Sequence, residues 1–342
     1  MPATPVKLVG AARAEPAATP PPAPRGARAP RLSCVLPCLD EAQNLRLLLP
    51  QLREALRGCS PAWEVIVIDD GSRDDTAALM AHWSALPGFR CLQLSRNFGK
   101  EAALTAGLQA AHGEVVVLMD ADLQHAPALI ARMLERWRAG ADVVYAVRAN
   151  RDDEPWLKRL GARWFYGLVN GAGRVKLPAD AGDFRLMDRQ VVQALLALPE
   201  RNRFMKGLYA WVGFRAEALP YTPATRARGK SKFRWLQLLR LSIDGITAFT
   251  TWPLRMVSVV GLAMAVPAFA YGAYEALSYL LYGNPVSGWT TLVVCLMFVA
   301  GLQLVSLGVL GAYIARIFEE VKARPLYVVR QESGQGLARH EA

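Results

Sequence analysis

The sequence predicts an α/β domain with a mostly parallel, Rossmann-like sheet, followed by amphipathic interface helices and a C-terminal hairpin of two membrane-spanning helices. Three observations predict this class. Short apolar runs alternate with helical stretches from Arg31 onwards, as in parallel-sheet domains. An amphipathic segment begins near Trp235, and two long apolar stretches follow it, which are uncharged over Met256–Tyr274 and Trp289–Ile314. The length of 342 residues is enough for one such domain and a smaller appended unit.

Residues 1–30 differ from the rest of the chain. They are rich in Ala and Pro and contain several arginines. No continuous apolar run of the kind that a secretory signal requires is present in them. We expect a disordered cytoplasmic arm, and the sequence leaves open whether its basic residues contact anionic lipid or form a passive tail.

The main domain is predicted to cover residues 31–232. Its strands are short apolar runs, each followed by a turn and, in two cases, by a clear helix. The predicted strands are Leu32–Leu36, Val65–Ile68, Arg90–Leu94 and Val115–Met119, and the predicted helices are Asp40–Leu56 and Asp74–Trp83. Because ligands of open α/β sheets bind beyond the carboxyl ends of the strands, the acidic turns after the second and fourth strands mark the expected site.

The strongest chemical signal follows the fourth strand, where Asp120 and Asp122 are separated by Ala121. Alternate residues of an extended segment point the same way, so both carboxylates can face one cation. Mg²⁺ and Mn²⁺ prefer a few carboxylate oxygens together with substrate phosphates. An ion held there would neutralise a diphosphate and stabilise the charge of a leaving group. Acidic turns are common, so the position of this D-x-D motif directly after an apolar strand is what favours a metal site.

A second acidic turn, Asp69-Asp70-Gly71-Ser72, follows the second strand. An acidic side chain there can accept a hydrogen bond from the imide nitrogen of uracil. A simple Asp-Gly turn is the alternative. The presence of the D-x-D motif further along the chain favours nucleotide binding.

The net charge of +11 and the pI near 9.7 imply an anionic partner. Charge alone does not distinguish nucleic acid, lipid head groups and phosphorylated substrates. The segment Thr225–Lys232 combines four cations with a glycine just ahead of the amphipathic helix. Such a loop can close over a donor diphosphate while nearby cations hold a lipid phosphate. A polybasic lipid contact without catalysis is the alternative.

The C-terminal third is predicted to meet the membrane. Residues 233–252 form an amphipathic helix suited to the interface, although an ordinary domain helix has the same pattern. Residues 253–317 contain two stretches, about 256–280 and 289–314, that are each long enough to span the hydrocarbon layer. Basic residues flank the hairpin and its connecting loop has none, so both termini and the catalytic domain are predicted to be cytoplasmic, with residues 318–342 as a tail.

The sequence lacks the motifs of several other enzyme classes and metal sites. The five cysteines show no C-x-x-C pair, and the four histidines have no metal-ligand spacing. No Ser/His/Asp triad, Walker loop or G-x-G-x-x-G after the first strand is evident. We therefore interpret the cysteines as reduced residues of a cytosolic domain and the histidines as incidental.

Taken in order, these motifs resemble those of glycosyltransferase family 2, and specifically its polyprenyl-phosphate glycosyltransferases, which include dolichol-phosphate mannose synthases and bactoprenol glucosyl transferases. The resemblance runs from Arg31 to the second span, and several motifs in order are more specific than any one of them. The matching segments are Leu36-Pro37 through Asp40-Glu41, Asp69 to Ser72, Ser95 to Glu101, Asp120 to Gln124, Gly182 to Asp188, Arg203 to Gly207 and Gly229 to Lys232.

The resemblance implies a GT-A fold with a nucleotide-sugar site and a metal. Asp70 and Glu41 would contact the nucleobase, and Asp120, Asp122 and Gln124 would serve the metal. The residues implied to line the donor site are Pro37, Asp40, Glu41, Asp69, Asp70, Lys100, Asp120, Ala121, Arg228 and Lys230. The family's usual Tyr-Asn-Glu is here Leu39-Asp40-Glu41, which departs from the pattern at the position that would stack on the base.

The resemblance also implies the catalytic side of the site. Arg148 and Arg159 would face the lipid phosphate, and Arg228 or Lys230 would meet the donor phosphates. Asp183 lies where the family places a base or an acceptor-orienting carboxylate, and the resemblance counts the metal-site residue Asp122 among the catalytic residues as well. A base is not essential, because a phosphate monoester already carries about 1.5 to 2 negative charges near neutral pH.

The function implied is the inverting transfer of a hexose, with glucose from UDP-glucose favoured, onto undecaprenyl or another polyprenyl phosphate, with Mg²⁺ or Mn²⁺ as cofactor. Membrane lipid is a further partner, nucleic acid is not, and a homo-oligomer stays open. The expected location is the inner membrane, with more than one pass. Alternatives are a mannose or aminoarabinose synthase, a processive polysaccharide synthase, and a non-catalytic lipid-binding subunit. The polysaccharide synthase is disfavoured because Gln-x-x-Arg-Trp is missing from the chain.

Overall fold

The computed structural model describes residues 25, 29–148, 182–201, 203–221, 252–282 and 288–337. An eight-stranded sheet forms its centre, in the order β7-β5-β6-β4-β1-β2-β3-β8. The strands are β1 (Leu32–Cys38), β2 (Trp63–Asp69), β3 (Phe89–Leu94), β4 (Val115–Leu118), β5 (Val143–Arg148), β6 (Arg185–Asp188), β7 (Ala216–Tyr221) and β8 (Val329–Gly334).

The sheet is mostly parallel, as the sequence predicts. β1 pairs in parallel with β2 and β4, β2 with β3, and β5 with β7. β6 runs antiparallel to both β4 and β5, and β8 runs antiparallel to β3. The four strands predicted from apolar runs all form, and they are buried almost throughout because helices cover both faces.

The helices follow the strands along the chain. They are α1 (Ala42–Cys59), α2 (Thr76–Ser84), α3 (Lys100–Ala110), α4 (Leu129–Arg138), α5 (Arg189–Ala197), α6 (Met205–Trp211), α7 (Trp252–Tyr282) and α8 (Trp289–Lys322). Both helices predicted at the start of the domain form, each beginning two residues later than predicted because the preceding acidic residues belong to turns.

Two apolar clusters lie on opposite faces of the sheet. On one face, α1 and α4 place residues such as Leu45, Leu49 and Met133 against the strands. On the other face, α3, α5 and α6 contribute residues such as Leu104, Val191 and Leu208. The contact of α3 is especially close. A Cβ on Gly107 would lie 2.2 Å from Cγ1 of Val35, so only glycine lets α3 approach β1 this far.

The long C-terminal helices carry exposed apolar side chains. α7 and α8 contact each other and cover 31 and 34 residues. By length and apolar composition, one stretch of the described helices, Phe298–Lys322, is suited to cross a membrane, and none of its most apolar window is buried within the protein. The predicted interface helix over residues 233–252 lies, except for Trp252, outside the described residues.

The chain after α8 returns to the sheet. Leu94 through Arg90 of β3 pair with Val329 through Gly334 of β8, and Tyr327 packs against the α3 side of the core. Residues 318–342 were predicted to form a tail, with no strand among them. The sequence of β8, VRQESG, is polar and exposed. β8 pairs through backbone hydrogen bonds at the edge of the sheet, so its sequence has no apolar pattern from which a strand could be predicted.

Candidate active site

The carboxyl ends of β1, β2 and β4 meet at one edge of the sheet. Cys38 at the end of β1 lies opposite Asp69 at the end of β2, and Val35 lies opposite Leu118 at the end of β4. Both acidic turns therefore lie at the same edge, as the sequence predicts for an open α/β sheet. Pro37 is within β1, opposite Ile68.

Asp70 organises the loop that leads into α3. Its Oδ1 accepts a hydrogen bond from the amide of Phe98 at 2.7 Å, and its Oδ2 accepts one from the amide of Gly99 at 2.9 Å. Burial raises the pKa of Asp70, and the two amide hydrogen bonds offset part of that rise. The contact of Asp70 with a nucleobase stays a prediction, because in this structure both of its oxygens already bind backbone.

The neighbouring residue Asp69 holds its own turn. Its Oδ1 accepts from the amide of Ser72 at 2.8 Å. Gly71 has a φ of +76°, and a Cβ there would lie 2.7 Å from the carbonyl carbon of Arg96. Glycine is therefore required in this turn both for its left-handed backbone and for the close approach of the Arg96 loop.

The loop after β1 is joined to the loop after β2. The amide of Asp40 donates to Oγ of Ser72 at 2.9 Å, and Oδ1 of Asp40 accepts from the amide of Arg73 at 2.8 Å. Glu41 accepts a hydrogen bond from the side chain of Asn44. These contacts make one rigid rim from the residues predicted to line the nucleotide site.

The D-x-D turn holds its two carboxylates in different ways. Oδ1 of Asp120 lies 2.6 Å from Nζ of Lys100. Asp122 accepts from both the amide and the side chain of Gln124, at 3.1 Å and 2.5 Å. Ala121 is buried between them. Gln124 thus orients Asp122, which is a role besides the metal ligation predicted for it.

Lys100 joins the D-x-D turn to Asp183. Its Nζ lies 2.6 Å from Oδ2 of Asp183 as well as 2.6 Å from Asp120. Burial lowers the pKa of Lys100, but the two carboxylates outweigh burial and the pKa is raised. Burial raises the pKa of Asp183, but Lys100, Lys206 and Arg185 outweigh it and the pKa lies below its ordinary value. Asp183 is therefore ionised at neutral pH.

Asp120 and Asp122 suit a divalent cation that also binds substrate phosphates. Among the described residues, no group of three or more His, Cys, Asp or Glu side chains surrounds one position. Two carboxylates are nevertheless enough when a diphosphate supplies the remaining oxygens, which is the usual arrangement for Mg²⁺. In this structure the ammonium group of Lys100 provides the positive charge beside Asp120.

Four predicted cationic residues are only partly covered by the structure. Arg148 is the last residue of β5, and its backbone lies opposite Tyr221 of β7. Arg159, Arg228 and Lys230 lie outside the described residues. Their predicted contacts with the lipid phosphate and the donor phosphates therefore stay predictions.

Three further residues near Asp183 were missed by the sequence analysis. Arg185 is 3% exposed, and its guanidinium carbon lies 3.4 Å from the centre of the Tyr209 ring. Glu101 accepts a hydrogen bond from the amide of Met205 at 3.2 Å. Burial, together with the charge of Asp183, raises the pKa of Glu101 to about 7. Arg185 and Glu101 each had a sequence signal, because they lie in the matching segments Gly182 to Asp188 and Ser95 to Glu101, whereas Tyr209 had none.

An acidic turn, a bridging lysine and a second carboxylate lie at the carboxyl edge of a mostly parallel sheet, which is the arrangement expected of a glycosyltransferase of the GT-A type. The family description "Glycosyl transferase family 2" matches residues 33–196. The chain is 41% identical over 302 residues to the SfII prophage-derived bactoprenol glucosyl transferase of Shigella flexneri, covering 88% of this chain and 98% of that protein. The chain therefore belongs to glycosyltransferase family 2.

Two further similarities extend this comparison. An uncharacterised glycosyltransferase of Synechocystis is 42% identical over 299 residues, covering 87% of this chain and 94% of that protein. Among solved structures, a mannosyltransferase from Pyrobaculum calidifontis in complex with GDP-Man and Mn²⁺ is 19% identical with a TM-score of 0.44, covering 83% of this chain and 89% of that chain.

Proposed function

We propose that the protein transfers glucose from UDP-glucose to undecaprenyl phosphate or a related polyprenyl phosphate, with inversion at the anomeric carbon. The observation that carries this proposal is the 41% identity, over 88% of this chain, to a protein named bactoprenol glucosyl transferase. Bactoprenol is a polyprenyl alcohol, so that name gives the acceptor class as well as the sugar. The carboxylates gathered at the sheet edge supply the matching chemistry.

In the proposed reaction, an oxygen of the lipid phosphate attacks the anomeric carbon and forms the new carbon–oxygen bond. The bond from that carbon to the β-phosphate breaks, and UDP leaves with the electron pair. A bound Mg²⁺ or Mn²⁺ would supply charge neutralisation on the departing diphosphate. Asp120 and Asp122 would hold it, with Gln124 orienting Asp122.

The chain's own residues contribute positioning and electrostatics. Lys100 lies between Asp120 and Asp183, where its ammonium group would contact a phosphate oxygen of the donor. Asp183 carries a negative charge at neutral pH and would orient the acceptor or the sugar. Asp70 and Glu41 would contact the base, and Arg148, Arg159, Arg228 and Lys230 would contact the phosphates.

We propose that α7 and α8 form a two-span anchor in the inner membrane, with the catalytic domain and both termini in the cytoplasm. The chain enters α7 after β7 and leaves α8 for β8, and both strands belong to the same sheet. β8 begins at Val329, close after the end of α8 at Lys322, which supports a C-terminal end of the anchor on the side of the catalytic domain. Each helix is longer than the ~20 residues that a span needs.

The decisive experiment incubates the purified full-length protein in detergent with undecaprenyl phosphate, Mg²⁺ or Mn²⁺, and a panel of UDP- and GDP-sugars. Mass spectrometry follows the sugar-phosphate lipid, and an Asp122→Ala variant is the control. We expect a product with UDP-glucose that the variant does not form. If a product forms with a different donor, the transferred sugar is the one that this donor carries. If no donor gives a product, the proposed function is contradicted.

A further inference from the structure

A cavity of about 260 Å³ lies beside the Lys100 bridge. Its walls come from the start of α3, from the segment before α6 and from the chain that follows α8. The residues that line it include Lys100, Glu101, Ala102, Arg201, Arg203 and Leu326. Because Lys100 both lines this cavity and contacts Asp120 and Asp183, the cavity adjoins the proposed transfer site.

Arg203 is one of the cations that line this cavity. The residue is 9% exposed. Its Nε donates to the carbonyl of Glu200 at 3.1 Å, and its Nη2 donates to the carbonyl of Leu198 at 2.8 Å. Backbone carbonyls thus hold two of the guanidinium N–H groups and fix Arg203 at the cavity wall. A fixed guanidinium can donate charge-assisted hydrogen bonds to an anion.

The opposite wall is the amino end of α3. The helix begins at Lys100, and no side chain caps it at Gly99. The first amides of a helix are free of intrahelical partners and carry the positive end of its dipole, which favours a bound anion. Asp70 accepts from the amides of Phe98 and Gly99 just ahead of this turn, and the turn residues Lys100, Glu101 and Ala102 line the cavity.

The third wall lies close to the carboxyl end of α8. The amide of Arg201 donates to Oε1 of Glu320 at 2.9 Å, and its side chain donates to the carbonyl of Arg324. Leu326 follows the last residue of α8, Lys322, by four residues. An extended chain covers about 14 Å in four residues, so the cavity lies within that distance of the helix end.

We propose that this cavity binds the phosphate monoester of the lipid acceptor, with Arg203 and Arg201 as its cationic donors and the first turn of α3 as its floor. The proposal rests on the proposed function. A phosphate there would lie next to Lys100 and its polyprenyl chain would leave along α8. Arg201 and Arg203 would then act together with Arg148 and Arg159, which are predicted on the same ligand.

One group in the cavity opposes this ligand. The carboxyl of Glu101 also lines it, and its negative charge would repel a phosphate. Glu101 accepts a hydrogen bond from Met205. Lys100 is already paired with Asp120 and Asp183, so Arg201 and Arg203 are the two cations that outnumber Glu101 among the lining residues. The remaining charge favours an anionic ligand.

The test measures initial rates of the full-length protein in detergent while undecaprenyl phosphate and UDP-glucose are varied separately. Three variants change the cavity in different ways. Arg203→Lys shortens the buried donor, Arg201→Gln removes a charge, and Ala102→Leu fills space without changing charge, in a helix that tolerates leucine. Arg215→Gln is the matched control, because Arg215 is 46% exposed and pairs with Glu217 away from the cavity.

We expect each cavity variant to raise the KM for undecaprenyl phosphate about tenfold. The two arginine variants lose one charge-assisted contact, and Ala102→Leu occupies part of the space that the phosphate needs. The KM for UDP-glucose and the Kd for UDP, measured by calorimetry, should change less than twofold. The control should match the wild type in all three. Thermal melting of each variant separates a folding defect in Arg203→Lys from the binding effect, which Arg201→Gln and Ala102→Leu report independently.

Two outcomes would overturn the assignment. If UDP binding falls while the KM for the lipid is unchanged, the cavity serves the donor diphosphate. If no constant changes in any folded cavity variant, the cavity binds no substrate phosphate. If the wild type forms no glycolipid, the proposed function fails by itself. Equilibrium binding of undecaprenyl phosphate, compared with that of undecaprenol, then tests whether the cavity binds the phosphate. Binding that requires the phosphate and is lost in Arg203→Lys supports the assignment. Equal binding by the wild type and Arg203→Lys contradicts it.

Discussion

Two carboxylate clusters lie at opposite ends of the same parallel strands. At the amino ends, Glu64 is fully buried and accepts hydrogen bonds from Oγ of Ser33 at 2.6 Å and from the amides of His112 and Leu337 at 2.9 Å and 3.0 Å. Arg90 lies 3.3 Å from it. At the carboxyl ends, Asp120 and Asp183 share the ammonium group of Lys100. We call these the Glu64 cluster and the Lys100 cluster.

The difference lies in what holds the carboxylates. In the Glu64 cluster, backbone amides and a buried arginine fill the lone pairs of one carboxylate, so it has no capacity left for a ligand. In the Lys100 cluster, two carboxylates depend on one lysine whose side chain is 44% exposed. A flexible lysine can be displaced by a ligand without unfolding anything. The first arrangement is therefore suited to stability and the second to exchange of cations and phosphates.

Asp120→Asn should give the largest effect. It removes a metal-site charge and one partner of Lys100 while keeping the shape of the side chain. We expect the rate of glycolipid formation to fall about 10³-fold, as when a charge-stabilising group is lost, with little change in Tm. Asp75→Asn, an exposed carboxylate on Arg46, is the control. A large fall in Tm for Asp120→Asn would show that the Lys100 cluster stabilises the fold, as the Glu64 cluster does, and would contradict the proposed difference.

Lys100→Met should give the next effect. Loss of the cation leaves Asp120 and Asp183 without their shared partner and removes a predicted contact to the donor phosphates. We expect kcat to fall about 10²-fold. Because Lys100 no longer competes for Asp120, Mn²⁺ measured by calorimetry without donor should bind more tightly than in the wild type. Lys100→Arg keeps the charge and should leave Mn²⁺ affinity close to the wild-type value, and weaker Mn²⁺ binding in Lys100→Met would contradict this competition.

Glu64→Gln tests the other cluster. It leaves Arg90 buried without that charge partner, so we expect the free energy of unfolding to fall by about 3 kcal/mol. Thermal melting in detergent would record this as a lower Tm, and the rate per folded molecule should be unchanged. The matched control is Glu332→Gln, the other carboxylate on Arg90, which is 51% exposed and should cost at most about 1 kcal/mol. If both variants lose the same free energy of unfolding, the buried Glu64 contributes no more to stability than the exposed Glu332, and the prediction is contradicted.

Glu101→Gln should have the smallest effect, and one that depends on pH. The pKa of Glu101 is raised from its ordinary value of 4.5 to about 7, so between these values the folded state binds more protons than the unfolded state. Stability from this group is therefore present below pH 4.5 and is lost as pH rises through 7. Glutamine does not titrate, so the variant should gain Tm over the wild type at pH 8 and much less at pH 5.

The exposed Glu54 on α1 supplies the control for that profile, since Glu54→Gln should follow the wild-type curve at both pH values. If Glu101→Gln also follows the wild-type curve, Glu101 is not held in its protonated form by the fold. The comparison between the two clusters would then rest on Asp120 and Lys100 alone.

Much of the catalytic domain was predictable from local pattern. The four apolar strands, the first two helices and the mostly parallel sheet are confirmed, because a buried strand must be apolar along its length and each such run is visible by itself. The acidic turns were placed at the correct sheet edge by the rule that parallel strands present their carboxyl ends together. The family followed from several motifs in order, none of them specific alone.

Other features required the tertiary structure. β8 is polar, and β6 enters the sheet antiparallel between β4 and β5; both form backbone ladders that almost any side chain permits. The partners of Lys100 and Arg203 also had no signal, because a charged residue looks the same in sequence whether it is solvated, paired or buried without a partner. The sequence by itself determined which segments are buried and which motifs end them, since burial selects residue type at each position. Only the tertiary structure decided which distant polar groups meet, because that depends on where the backbone brings them.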